Sequence, residues 1–285
     1  MKIGSDEHKA LFCRHFIDTY TEFDPETLPW PELDEASLAK LRGVPFWNEV
    51  LFTETRAGAI VKRFVETIED PTIREAVALQ GKEETRHAKL IRVMIDRYNI
   101  PVEEKPLEPL TGDPVIAFKD FGFGECMDSF LGFGAFKVAR TSEFLPREMF
   151  DVFETLMFEE TRHIVFFVNW MAWSEARAGR AALRPLVTLW FYARAAGRMA
   201  GTVLRGQQVN DGKDFSATQA GVFLDGFTFK GFLEDCYSEN RRRMGALTDT
   251  LLTPGFLPQL AGGALPALRL WNLRRPGAAT AATAV

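Results

Sequence analysis

Between Val44 and Ala176, apolar residues recur three and four positions apart in four long runs, near 45–69, 72–98, 115–140 and 148–175. That period predicts four amphipathic α-helices. Glu69-Asp70-Pro71-Thr72 and Thr141 to Pro146 are short breaks, so the helices on either side of each are expected to be antiparallel neighbours. Pro101 to Pro114, between the second and third runs, is long enough to travel the length of a bundle instead of turning back. Upstream, residues 1–44 carry Pro25, Pro29 and Pro31 and read as an N-terminal arm of short helical pieces with little chemistry. Downstream, residues 177–253 predict additional helices near 181–208 and 216–246, joined by the polar turn Asn210-Asp211-Gly212-Lys213-Asp214. Residues 254–285 mix proline and glycine with leucine, phenylalanine and Trp271, then run through Arg274-Arg275 into an Ala/Thr tail of disordered composition. The apolar part is either a lid on the bundle or a lipid-contact segment. The expectation is an all-α protein with its bundle at 45–176.

Two of the apolar stripes are interrupted in the same way. Glu83-Glu84-Thr85-Arg86-His87 recurs letter for letter as Glu159-Glu160-Thr161-Arg162-His163, and these pentads hold two of the chain's four histidines. On the second helix the stripe runs Ile73, Val77, Gln80, Glu84, His87, Ile91, Met94; on the fourth it runs Phe153, Leu156, Glu160, His163, Phe167, Trp170. Residues three and four apart share a helix face, so two carboxylates and two imidazoles point into the interior. Unpaired charges there cost several kcal/mol, and a metal is the natural compensation.

A two-metal site in a helical bundle takes one further carboxylate from each of the other two helices. Glu54 meets that need on the first, flanked on its face by Val50, Leu51, Ala57, Gly58 and Val61. On the third helix the stripe Phe118, Phe121, Glu125, Asp128, Gly132, Ala135 offers two acids. Glu125 is preferred for its longer reach, with Asp128 as an alternate or outer-sphere group. Ser129, one turn beyond Glu125, places a hydroxyl where it could assist oxygen chemistry. Four carboxylates and two neutral imidazoles suit iron, or manganese, better than zinc or copper. Metal-bound histidines usually donate their other N–H to an acid, a role expected of Glu83 and Glu159, each serving the opposite pentad, with Arg86 and Arg162 holding the acids.

Composition narrows the partners. With 34 basic and 39 acidic residues and a net charge of −5, the chain has no basic stripe for nucleic acid. Three cysteines, Cys13, Cys126 and Cys236, form no metal-type pair and no disulfide framework, which suits a reducing cytoplasm. No stretch is long and apolar enough to span a membrane, and the N-terminus has no export-type apolar region. The third helix is dense in glycine (Gly122, Gly124, Gly132, Gly134), which either clears space for a substrate or permits close helix packing. Phe121 and its neighbours, among 25 phenylalanines, line an apolar pocket or fill the core. Arg194 and Arg198 either meet an anionic end of a substrate or form a solvated face.

The doubled pentad, with a glutamate upstream of each, resembles the di-iron carboxylate branch of the ferritin-like superfamily. That branch includes monooxygenase hydroxylases, ribonucleotide reductase small subunits, rubrerythrins and fatty acyl desaturases. The likeness covers about residues 46–175. It implies a ferritin-like four-helix bundle with a long crossover between helices 2 and 3, and two irons on Glu54, Glu84, His87, Glu125, Glu160 and His163. Ile91 and Phe167 stand where the reductases carry a radical tyrosine, no cysteine-ligated iron module is present, and the chain is longer than ferritin subunits. The leading expectation is therefore an oxidase or oxygenase that activates dioxygen against a small or chain-like apolar substrate, with Glu84 and Glu160 as mobile bridging carboxylates. Electrons would come from an external ferredoxin or reductase, since no flavin or nicotinamide motif appears. The alternatives are a ferroxidase or peroxide-consuming di-iron or di-manganese protein, and a non-catalytic metal-bearing scaffold or lipid carrier. A homodimer is expected by analogy alone.

Overall fold

The computed structural model describes residues 2–103, 105–209 and 228–273. Among them every regular element is helical: α1 (Asp6–Asp18), α2 (Glu35–Arg42), α3 (Trp47–Val65), α4 (Pro71–Arg97), α5 (Pro114–Thr141), α6 (Arg147–Arg177), α7 (Arg184–Val209), α8 (Phe229–Leu247) and α9 (Phe256–Leu273). The polar turn at Asn210–Asp214, the start of the helix expected near 216, and Arg274-Arg275 with the tail lie outside the described residues. Within the apolar segment expected as a lid or a lipid contact, Phe256–Leu273 forms α9, which packs on α8 and α5 with Pro266 inside it.

Local chemistry sets where the long helices begin. Asp70 Oδ1 accepts from the backbone N–H groups of Thr72 (3.0 Å) and Ile73 (3.1 Å), and Pro71 fills the first helical position, where no N–H is needed. Asp113 and Pro114 repeat the device at α5, with Val115 N–H at 2.7 Å and Ile116 N–H at 3.1 Å.

The connection between α4 and α5 runs lengthwise. Glu103 N–H donates to Asn48 Oδ1 at the start of α3 (2.7 Å), while Arg63 near its end donates to the carbonyls of Leu110 (2.8 Å) and Gly112 (2.7 Å). This crossover delivers α5 to the C-terminal end of α3, where Phe118 stacks on Phe64 at 4.0 Å. Helices α3 to α6 close a ring of contacts (α3 on α4, α4 on α6, α6 on α5, α5 on α3), while α1 covers the α4–α6 seam and α7 and α8 lie on α5.

Two apolar cores fill the bundle. One is built on Phe64, Ile73, Val77, Phe118, Phe167 and Trp170, the other on Leu90, Ile91, Met94, Met149, Val152 and Leu156. Along both α4 and α6 the pentads fall between these cores, so a charged layer separates two greasy ones.

Candidate metal centre

Glu84, His87, Glu160 and His163 come together in that layer, each offering a ligand atom within 4.8 Å of the others. This group can hold a metal ion. The imidazoles face each other with ring centroids 5.5 Å apart. His87 Nε2 lies 2.9 Å from Glu159 Oε2, and His163 Nε2 lies 2.9 Å from Glu83 Oε2, so each pentad's first glutamate meets the histidine of the other. A carboxylate accepts only, so both Nε2 atoms carry hydrogen and donate. The Nδ1 atoms are left to face the cluster.

Arginines brace the two acids. Arg162 Nη1 donates to Glu83 Oε1 (2.5 Å), Nη2 to the Phe16 carbonyl (2.5 Å) and Nε to Thr19 Oγ1 (2.8 Å), with the guanidinium 4.3 Å from the Phe16 ring centroid. Arg86 donates to Glu159 Oε1 and lies over the Phe23 ring at 4.2 Å, with the Tyr20 hydroxyl at 3.5 Å. Phe16, Thr19, Tyr20 and Phe23 all belong to the arm that the sequence reading gave little chemistry. The apolar spacing Phe12, Cys13, Phe16 signals a buried helix face, but nothing in the sequence says what that face covers.

His87 Nδ1 approaches Glu160 Oε1 (3.0 Å) and Glu54 Oε2 (3.5 Å), and His163 Nδ1 approaches Glu84 Oε1 (3.1 Å). None of these approaches has hydrogen-bond alignment. Both Nδ1 atoms and Glu84 Oε2 are buried without a hydrogen-bond partner among the described residues. Gln80 supplies one amide N–H to Glu84 Oε1 at 3.2 Å. Orphaned lone-pair atoms converging from two imidazoles and a carboxylate are the arrangement a cation completes, so the residues present fit a metal.

The electrostatics show how much charge the layer holds. Burial alone would depress His87, but its contacts with Glu159, Glu160 and Glu54 outweigh that and raise it well above an ordinary imidazole. Burial opposes protonation of His163 too, yet the Glu84 charge and the contact with Glu83 push it up to about 10. Burial would raise Glu160, but the two histidines hold it down at about 2. Glu125 is raised well above the usual carboxylate range by burial and by the Glu160 and Glu84 charges beside it. Glu54 goes up to about 7, chiefly from burial.

Enclosure is uneven. The His87, His163 and Glu84 side chains are no more than 1 % exposed, whereas Glu160 is 11 % and Glu54 17 % exposed. The layer is therefore sealed on the α1 side and reaches solvent on the α3 side.

The other expected residues divide. Asp128 is exposed, within reach of the Glu160 and Arg198 charges. Ser129 is buried and hydrogen-bonds to none of the cluster residues among those described. Phe121 packs beside Phe118 at the edge of the first core. Of the two readings of Gly122, close packing is the one its surroundings favour: a Cβ there would lie 2.2 Å from Phe167 Cδ2, so the ring already fills that space. Gly134 likewise admits α8, with Cys236 Sγ at 2.3 Å from such a Cβ, whereas the nearest atom to one at Gly124 is Arg198 Nη2 at 4.0 Å. An apolar cavity of about 580 Å³ between α5, α8 and α9, lined by Met127, Phe130, Leu233, Leu257 and Leu260, includes none of the cluster residues.

Comparison with models of known protein families, with curated proteins and with solved structures finds no match to this chain. The class defined by fold and site together is thus an all-helical protein with a buried Glu/His group able to hold metal.

Proposed function

We propose that the chain is a ferritin-like di-iron oxidase or oxygenase, acting on a small or chain-like apolar organic substrate. The reading rests on one observation: two imidazoles locked through Nε2 present bare, buried Nδ1 atoms to a set of carboxylates. Glu84, His87, Glu160 and His163 would hold the metals, with Glu54 and Glu125 completing an oxygen-rich set for two irons, or manganese in their place. When bound, such a pair supplies the electrons and Lewis acidity that activate dioxygen. The protein's own work is positional. Glu83 and Glu159 fix the tautomer and angle of the histidines, Arg86 and Arg162 hold those acids in place through hydrogen bonds, and Phe16 with Arg162 closes the histidine side to water. The opening on the α3 side, beside Glu54 and Glu160, is the route left for substrate.

Anaerobic ferrous titration tests this directly. The expected result is two irons per chain, then an absorbance change on admitting air that Glu84→Ala and His163→Ala lack. Oxygen consumption stimulated by apolar alcohols, fatty acids or amines, with an oxidised organic product, identifies an oxygenase. Rapid peroxide turnover with no organic product would overturn that reading in favour of a protective enzyme. Failure to bind more than trace iron or manganese would overturn both.

A further inference from the structure

Helix α7 buries Phe191, Tyr192 and Ala195 against the body of the protein and leaves an apolar face uncovered. Leu186 is 65 % and Trp190 52 % exposed, and Leu183 and Leu189 are also exposed. Leu186, Leu189, Trp190, Ala193, Gly197 and Ala200 recur three and four apart, which puts them on one stripe of the helix. Exposed leucines scattered singly need no explanation, but a contiguous ridge with a tryptophan marks a contact surface.

Charge says what the contact is. From Ala176 to Asn210 the chain has six arginines (177, 180, 184, 194, 198 and 205) and no acidic residue, within a protein of net charge −5. The acids these arginines meet come from other elements: Asp6 for Arg177, Glu175 for Arg180 and Asp120 for both Arg194 and Arg198. Among the described side chains, four arginines of this segment meet three acids. The Arg194 guanidinium lies 4.6 Å from the Trp190 ring centroid, at the flank of the apolar ridge. Two copies of α7 paired about a two-fold axis would bring these arginines against one another, which disfavours a second copy as the occupant. An anionic lipid surface accepts both features at once. Leucine and tryptophan enter the headgroup boundary while arginines meet phosphates. No helix among the described residues is long and apolar enough to cross a membrane, so the attachment is peripheral.

We propose that α7, with Leu183 just before it, is a docking face for an anionic lipid surface, with Leu186, Leu189 and Trp190 as the inserting residues and Arg194 and Arg198 on the flank as the phosphate contacts. The proposal is independent of the metal centre.

Flotation of the full chain with vesicles tests it. The protein is expected to rise with phosphatidylcholine vesicles containing phosphatidylglycerol at low salt. Binding should fall roughly tenfold or more on pure phosphatidylcholine, at high salt, or in Leu186→Glu/Trp190→Glu. These positions are exposed, so circular dichroism and melting temperature should match the parent. Arg194→Ala is expected to weaken binding less than the double variant does. A parent protein that stays in the dense fraction, or a double variant that floats as well as the parent, overturns the proposal. Sedimentation velocity supplies the remaining outcome: a dimer dissociated by Leu186→Glu, with no flotation of the parent, assigns the face to a second copy instead.

Discussion

The two pentads are identical in sequence and differ in what encloses them. Arg162 is fully buried, and its guanidinium is shared among Glu83, the Phe16 carbonyl and Thr19. Arg86, 6 % exposed, meets Glu159 on the inside and the exposed carboxylate of Glu22 at 3.7 Å on the outside. The imidazoles differ as well, since His87 Nδ1 faces Glu160 and Glu54 while His163 Nδ1 faces Glu84. A repeat in the sequence therefore produces a near-symmetric set of donors inside an asymmetric shell. The donors establish that cations fit, and the shell decides which side water and substrate approach.

The largest effect is expected at the shared layer itself. His87→Ala or His163→Ala removes an Nδ1 donor and leaves its partner glutamate buried with no imidazole, so bound metal measured by elemental analysis should drop to trace in either variant. Equal losses would show that the halves act as one unit. Retention of one equivalent in one variant would show that they act separately.

Bracing should separate the halves next. Removing one partner of a buried ion pair costs about 3–5 kcal/mol, because the other charge stays buried. Arg162→Ala is expected near that range by urea denaturation. Arg86→Ala is expected to cost about half as much, since solvent reaches that side. The reverse order would refute the account of the α1 seal.

A third test contrasts two glycines of α5. Gly122→Ala forces a methyl against Phe167 and should destabilise by about 1–3 kcal/mol. Gly124→Ala has room and should be neutral or stabilising by up to about 1 kcal/mol. Similar melting temperatures for both would remove the packing explanation for Gly122.

The smallest effect lies at the start of α4. The carboxyl of Asp70 is pulled below its ordinary value because its contacts with Lys9, Ile73 and Thr72 outweigh the effect of burial. Its folded value lies below the unfolded one, so its contribution is complete above about pH 4 to 5 and fades as pH falls through the folded value. Asp70→Ala should cost about 1 kcal/mol at pH 7. The gap between parent and variant should close under acid, as read from chemical melts across pH.

Much of this was legible along the chain. Helix period placed α3 to α6 within a few residues, and Asp70-Pro71 marked the start of α4, since a cap and a proline act locally; Asp113-Pro114 does the same at α5. The length of Pro101 to Pro114 allowed a run along the bundle, and its bonds to Asn48 and from Arg63 lay it beside α3. The identity of the pentads singled out Glu84, His87, Glu160 and His163, because helical spacing alone fixes which side chains share a face. The two readings of Gly122 could not be separated along the chain, since a missing side chain shows only that space is needed and not whether Phe167 or a ligand takes it. The arm was underrated for a similar reason: Phe16 and Thr19 reach Arg162 from more than a hundred residues away in the chain.

The amino-acid order by itself determined the helices, their caps and a charged interruption at matching positions in two of them, all consequences of backbone geometry within a few residues. Only the tertiary structure decided which acid meets which imidazole, that α1 seals one side of the layer, and that the ridge of α7 is left uncovered. Those outcomes depend on which surfaces meet across long stretches of chain, and no local rule of spacing or propensity encodes them.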